Sequence, residues 1–372
     1  RDAFLGRSVP DWDLASNARP DKVAELFPRV IRIGEKHGTI KIIQDGTEVE
    51  VTTYRGEGTY EDGRRPSSVI FHRNIEEDLA RRDFTVNAMA ASPRRNLLVD
   101  PFCGVADIDA RLIRCVGDPR VRFGEDGLRP LRAIRFAAVL RFEVEAATMA
   151  ALGGQLNVFM KVAWERKRDE LLRMFDKGTD LGRAFALLSS SGILKNLAPE
   201  MPTLSEAAIL DQHYLGQPLQ RLTLWLGCNG VSVDEARTIL ERWRLSKKQV
   251  RMICGWLAAY AAVDVHLLEE PYALRCWLSK AGKEDALKAA ELTRILDPEK
   301  YQDIEEAVRS MLATNPPLGI GDLALDSVSL KKMGFDGEEL GNLLVKLLDH
   351  VLRDPQHNTM ESLTSHVRDL ST

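Results

Sequence analysis

No stretch of this 372-residue chain is apolar for long enough to cross a bilayer, and its first residues, Arg1-Asp2-Ala3-Phe4-Leu5-Gly6, lack the apolar core of a signal peptide. A membrane-bound or exported protein is not expected, and the cytoplasm is the default location. Cysteine is scarce: Cys103, Cys115, Cys228, Cys254 and Cys276 are odd in number, widely spaced and contain no CxxC pair. A disulfide framework and a cysteine-type zinc site are thereby set aside, and buried thiols are the expectation. None of the seven histidines is followed by Asp, and no His/Cys cluster has metal-ligand spacing. An excess of positive charge is also missing. With 51 Lys and Arg against 55 Asp and Glu, the net charge is -4, so a nucleic-acid partner must be held by local basic patches. Core material is plentiful, at 44% hydrophobic residues, enough for two or more packed units.

The stretch Gly6-Arg7-Ser8-Val9-Pro10-Asp11-Trp12-Asp13 holds two aspartates one residue apart. On an extended strand both carboxylates point to one face, where they can hold divalent cations that bridge a triphosphate. One ion then lowers the pKa of an attacking hydroxyl and another stabilises a leaving pyrophosphate. The same pair beside Pro and Gly also suits a solvated turn, and the neighbouring segments must decide. From Val30 to Tyr54 the pattern reads strand, turn, strand, hairpin, strand. Thr39-Ile40-Lys41-Ile42-Ile43 is β-branched, Asp45-Gly46 is a hairpin signal, and Glu48 and Glu50 alternate with Val49 and Val51 on the returning strand. Glu48 or Glu50 can supply a third carboxylate, or both can simply face water. Gly56 to Asn74 is polar and rich in Gly, Arg and Ser, and reads as a long mobile loop, its arginines suited to an anionic ligand.

In the segment Glu77 to Ala90, Arg81-Arg82-Asp83-Phe84-Thr85 and Asn87 offer charge to a triphosphate and polar groups to a ribose, although a plain amphipathic helix with a charged start accounts for the segment as well. Further on, Arg129, Arg132 and Arg135 at three-residue spacing form a slowly winding basic band, beside an apolar band of Leu128, Leu131 and Ile134. Pro130 belongs in a first helical turn, which puts the helix start near Asp126. Cytosine and adenine each pair an exocyclic amine donor with a ring-nitrogen acceptor, whereas uracil and guanine pair a carbonyl with an N–H. An aspartate only accepts and an arginine only donates, so Asp126 with Arg129 fits C and A. Against U or G the pair leaves buried groups unmatched, at about 1–3 kcal/mol per group. A surface salt-bridge helix is the alternative for the same residues. In Trp164-Glu165-Arg166-Lys167-Arg168-Asp169-Glu170-Leu171, charges three to four apart are expected to brace the fold. Beyond about residue 176 the pattern is largely helical, with breaks near Pro199 to Pro202, Gly227 to Gly230 and Pro316 to Gly319 and no motif of catalytic type.

Taken together, these stretches resemble the bacterial-type (class II) tRNA nucleotidyltransferase and poly(A) polymerase family. Its motifs are G-R-x-x-x-D-x-D, R-R-D-F-T-x-N-A, an E-D-x-x-R helix and an E-R-x-x-x-E helix, and all four occur here in order between Arg1 and about Phe175. Gly337-Glu338-Glu339-Leu340-Gly341 and Pro355-Gln356-His357-Asn358-Thr359 resemble the family's tail more weakly. The resemblance implies an α+β, seahorse-shaped protein. A catalytic nucleotidyltransferase sheet head would span residues 1–115, nucleotide-selecting neck helices 116–175, a helical body 176–265 and a helical tRNA-binding tail 266–372. It implies that Asp11 and Asp13 hold magnesium and that Glu50 is the third catalytic carboxylate. Arg82 and Asp83 would contact ribose and phosphates, and Asp126 and Arg129 the incoming base, with Arg132 and Arg135 supporting them.

By the same resemblance, the 3′-hydroxyl of a tRNA would attack the α-phosphate of CTP or ATP and release pyrophosphate, with no obligatory protein partner. Arg1 and Asp2 match the end of a nucleotide-cradling G-G-x-V-R-D motif whose glycines are not in this sequence, so either an incomplete copy of the protein or an impaired enzyme is expected. The loop ahead of Arg81 is associated in the family with adding the terminal A, which argues against an enzyme that adds only CC. A poly(A) polymerase shares the catalytic motifs, and a non-catalytic RNA-binding protein that kept the fold is the alternative of another class.

Overall fold

The computed structural model describes residues 1–9, 12–32, 35, 38–57, 69–201 and 216–370. Asp11 and most of the loop called at Gly56 to Asn74 lie outside them. The fold is α+β: every described strand precedes residue 145, and the elements beyond it are helical. The chain forms two compact units, Arg1–Asp211 and Gln212–Thr372. Among the described residues no helix is long and apolar enough to cross a membrane.

In the first unit a four-stranded sheet runs in the order β1-β4-β3-β2, from β1 (Leu14–Ser16), β2 (Val30–Ile31), β3 (Thr39–Gln44) and β4 (Thr47–Thr53). β3 and β4 are joined by Asp45 and Gly46 at φ 50° and 78°, the paired positive angles of a tight hairpin turn that Asp-Gly favours. Period-two alternation sorts the two faces. Ile40, Ile42 and Val51 are buried beneath Val23 of helix α1 (Pro20–Ala24). On the other face Lys41 lies across from Glu50 and Glu48, and the Thr39 and Thr52 hydroxyls meet at 3.0 Å. β1 joins β4 in parallel, Leu14 opposite Val51.

The flanks of the polar loop, β5 (Arg55–Glu57) and β6 (Val69–Phe71), pair as an antiparallel ribbon. Helix α2 (Ile75–Ala80) includes Glu77 to Ala80 and stops there, so the amphipathic helix expected over Glu77 to Ala90 forms only at its start. The chain instead runs extended through Phe84, which is fully buried and bridges Cys115, with Thr85 N–H donating to the Arg114 carbonyl at 2.9 Å. The hairpin β7 (Ala90–Ser92) and β8 (Leu97–Val99) and helix α3 (Gly104–Asp109) follow. After β9 (Leu112–Ile113) come α4 (Pro119–Glu125) and α5 (Arg129–Leu140).

Pro130 sits in the first turn of α5, as its missing N–H allows, and the helix begins at Arg129, leaving Asp126 in the link between α4 and α5. Leu131, Ala133, Ile134, Ala137 and Ala138 are fully buried, so α5 is the central rod of this unit. It packs on α8 (Trp164–Met174) and α9 (Leu181–Ser190), with α6 (Ala146–Ala151) and the short α7 (Leu156–Lys161) between them in sequence.

The second unit is a helical array. Its helices open on capping boxes at Ser232 with Glu235 and at Ser246 with Gln249, and Trp225 stacks on Trp243 at 6.4 Å in the interior. The expectation of buried thiols holds for Cys115 and Cys254 and fails at Cys103, which is exposed; all five are free.

Candidate active site

Asp13 and Glu50 each lie one residue ahead of the paired Leu14 and Val51, so the parallel register puts them level with each other on neighbouring strands. Asp13 is exposed, and the Glu50 carboxylate meets the Lys41 ammonium at 3.2 Å at a position open to water. Asp11, called with them, lies outside the described residues. Among the described residues no three His, Cys, Asp or Glu side chains gather as a metal site. The donors that are described are nevertheless hard carboxylate oxygens, accessible, level across two strands and paired with one half-buried lysine, and they suit a hard divalent cation.

The Arg81–Ala88 stretch is shaped by two buried aspartates. Asp78, on the last turn of α2, takes Arg81 Nη2 at 2.7 Å and Arg82 Nη2 at 3.4 Å. Asp83 accepts from the Phe84 N–H at 2.8 Å, from Asn87 Nδ2 at 3.1 Å and from Arg132 at 2.7–2.8 Å. Burial alone would raise the Asp83 carboxyl, but Arg132, Asn87 and the Phe84 amide hold it below the ordinary carboxylate value. Burial likewise works against the Arg132 charge, and Asp83 and Glu170 more than offset it. Arg82 lines the cavity, and its Nε is buried with no hydrogen-bond partner among the described residues. Arg1 donates to Asn87 Oδ1 at 2.8 Å and lies 4.9 Å from the centre of the Phe136 ring.

Asp126 is not free in its link. It accepts from Arg166 Nη2 at 2.7 Å and Nη1 at 3.2 Å, and from the Leu128 N–H at 3.0 Å. Arg129 is buried and donates to Glu125 at 2.5 Å, to the Arg122 carbonyl at 3.0 Å and to the Arg81 carbonyl at 2.9 Å. Arg135 is buried against Glu170 at 2.5 Å and lies over Phe136 at 4.1 Å. Burial lowers the Arg135 value even with Glu170 beside it.

These groups surround a cavity of about 490 Å³, a size suited to a small organic ligand, whose wall includes Arg1, Asp13, Arg82, Asp83, Asp126, Arg129 and Arg132. Residues from four separated segments thus meet at one place. Glu50 and Arg135 do not line it: Glu50 lies on the neighbouring strand edge, and Arg135 stands behind the wall.

Several functional neighbours were not called as site residues from sequence. Asn87, Phe136 and Trp12 line the cavity, while Arg166 and Glu170 act through Asp126, Arg132 and Arg135. The bracing expected within α8 is instead directed outward, since Arg166 and Glu170 find partners 35 to 40 positions away. No local spacing signals such pairs, and only the packing of α8 on α5 creates them.

A mixed sheet carrying carboxylates at one edge, beside a polar cavity walled with arginines, is the arrangement of a nucleotidyltransferase. Residues 1–114 match the family model described as the Poly A polymerase head domain, and residues 141–204 the one described as the Probable RNA and SrmB-binding site of polymerase A. The chain is 34% identical over 369 residues to the CCA-adding enzyme of Geobacillus thermodenitrificans, a match covering 97% of this chain and 88% of the relative. To the CCA-adding enzyme of Anoxybacillus flavithermus it is 39% identical over 365 residues, with the same coverage. The crystal structure of the Bacillus stearothermophilus CCA-adding enzyme in complex with CTP superposes with a TM-score of 0.84 at 30% identity, covering 100% of this chain and 92% of that one. The chain belongs to the CCA-adding enzyme family. A Thermotoga maritima CCA-adding enzyme complexed with tRNA shares the fold at 20% identity and a TM-score of 0.64, over 99% of this chain and 89% of that one.

Proposed function

We propose that this protein is a template-independent tRNA nucleotidyltransferase that builds or completes the 3′-terminal CCA of tRNA from CTP and ATP, releasing pyrophosphate. One observation carries the proposal: the cavity gathers a strand-edge carboxylate, Asp13, the cations Arg1, Arg82 and Arg132, and the acceptor Asp126 in one wall. A nucleoside triphosphate needs each of these, cations for its phosphates, an acceptor for its base, and a carboxylate edge where phosphoryl transfer occurs.

In the reaction, the 3′-oxygen of the tRNA forms a bond to the α-phosphorus while the bond to the β-phosphate oxygen breaks, and pyrophosphate leaves. Arg82 presents its guanidinium to the phosphates from the cavity wall, and Asp83 holds Arg132 in place beside them. A carboxylate has about four lone-pair sites, so Asp126 can accept a C or A exocyclic amine while still held by Arg166 and the Leu128 amide. Arg129 donates to the ring nitrogen by releasing one of its present acceptors. Divalent-metal dependence is general in this family, and we assign magnesium to Asp11 and Asp13, with Glu50 as the third catalytic carboxylate. Bound there, magnesium would activate the hydroxyl and neutralise charge developing on the leaving group. Mature tRNA ends are needed for translation, so we place the protein in the cytoplasm.

Three tRNA transcripts, ending at the discriminator base, at C and at CC, test this when offered CTP, ATP or both with magnesium and resolved at single-nucleotide length. Growth of the shortest to CCA length, and no further, is the expected result. Growth of the CC-ended transcript alone, by one A, would make it an A-adding specialist, and repeated A addition to unstructured RNA would make it a poly(A) polymerase.

A further inference from the structure

Trp225, Trp243, Trp256 and Trp277 are buried and Trp164 is half-buried, whereas Trp12 is 62% exposed. Its ring meets no other ring among the described residues, and it lines the cavity. Large aromatic rings are seldom left in water at the mouth of a polar cavity unless something covers them in the working state.

Resting on the function proposed above, we infer that the Trp12 indole is the platform on which the base of the tRNA's last nucleotide stacks, so that its 3′-hydroxyl is held at the carboxylate edge. Trp12 and Asp13 both line this cavity, so what covers the ring there lies near that carboxylate. The incoming base is claimed by Asp126, which leaves the attacking nucleotide as the partner at this end.

The chemistry of successive addition supports the same assignment. The terminal base of the acceptor changes at every step, from the discriminator to C to C. A hydrogen-bonding reader fitted to one of these would reject the others, because its buried groups would go unmatched. A π-face accepts any base, which is how sequence-tolerant single-strand sites work. Discrimination by hydrogen bonds at Asp126 and tolerance by stacking at Trp12 therefore divide the two tasks that one cavity must perform.

The test uses the full chain with Trp12→Ala, Trp12→Phe and Trp12→Leu, assayed on all three transcripts. Trp12→Ala should raise KM for every transcript by about 5- to 100-fold, the loss expected for one base–aromatic stack. KM for CTP and ATP and the melting temperature should stay unchanged, because the ring is exposed. Trp12→Phe should recover most of the loss and Trp12→Leu little, since leucine is apolar without a π-face. The inference is overturned if KM for tRNA does not move in Trp12→Ala, if KM for the nucleotides moves instead, or if Leu serves as well as Phe. A wild-type protein that extends none of the transcripts overturns the proposed function and this inference together.

Discussion

Glu170 on α8 lies 3.2 Å from Arg132 and 2.5 Å from Arg135, and the Glu170 and Arg135 side chains are buried. One carboxylate thus neutralises two cations, one in the cavity wall and one behind it. Glu170→Gln keeps the shape and removes the charge, leaving Arg135 buried without its counter-ion. We expect a loss of about 3–5 kcal/mol in denaturant unfolding, together with lower activity as Arg132 loses its alignment. An unchanged unfolding midpoint would show that water already screens the pair.

Three positions earlier on α8, Lys167 presents the opposite case. Its ammonium is buried with no carboxylate beside it among the described residues, donates to the Met160 carbonyl at 3.4 Å, and lies 4.5 Å from the ring centres of both Phe159 and Trp164. Desolvation pushes its pKa down to about 8, and the two aromatic faces oppose part of that cost. The unfolded chain, with an ordinary lysine near 10.5, binds more protons between pH 8 and 10.5, so wild-type stability should rise with pH across that window. Lys167→Met should stabilise the protein by roughly 1–2 kcal/mol at pH 7 and flatten that rise, as thermal unfolding at several pH values will show. For Asp83 the charged form stabilises the fold instead, although stability again rises with pH. Its carboxyl is held below its ordinary value, so its contribution is present above the unfolded value of about 3.8 and disappears as acid protonates the folded form.

The link between α4 and α5 shows how element packing holds the carboxylate we propose to select the base. A Cβ built on Gly127 would lie 2.6 Å from the Val158 carbonyl carbon and 2.7 Å from the Phe159 nitrogen, both main-chain atoms of α7. Only glycine lets the link rest on α7, and Asp126 is its immediate neighbour. Gly127→Ala should cost about 1–3 kcal/mol through overpacking and displace the Asp126 carboxylate. The measurement that isolates the second effect is incorporation of UTP relative to CTP on the discriminator-ended transcript, which should increase. If discrimination stays intact while the protein is destabilised, Gly127 serves packing alone.

For the whole molecule, the net charge of -4 means that tRNA is not drawn in by a uniformly positive field. Binding must come from local clusters of Lys and Arg meeting phosphates, and each contact releases counter-ions. With as few as three such contacts, affinity should fall more than about tenfold between 50 and 200 mM salt. Filter binding across that range checks it, and a flat response would mean that contacts other than phosphate pairs hold the tRNA.

The elements that depend on neighbouring residues were legible in the sequence alone. Alternation over Thr39 to Val51 and the Asp45-Gly46 turn determined the β3–β4 hairpin and set Glu48 and Glu50 on one face, because strand period and turn chemistry are local properties. Pro130 likewise located the start of α5 to within three residues. Three of the four motifs lie on segments that line the cavity, while the E-R-x-x-x-E helix stands behind it, because a motif marks side-chain chemistry and not where packing will place it. Tertiary structure alone decided which charges meet. Arg166 pairs with Asp126, Glu170 neutralises Arg132 and Arg135, and Asp13 comes level with Glu50 across a parallel strand pair that joins segments almost 40 residues apart. Spacing along the chain carries no trace of such contacts, because they arise only when burial of α5 brings α8 and the cavity wall together, and there desolvation makes each charge need its partner.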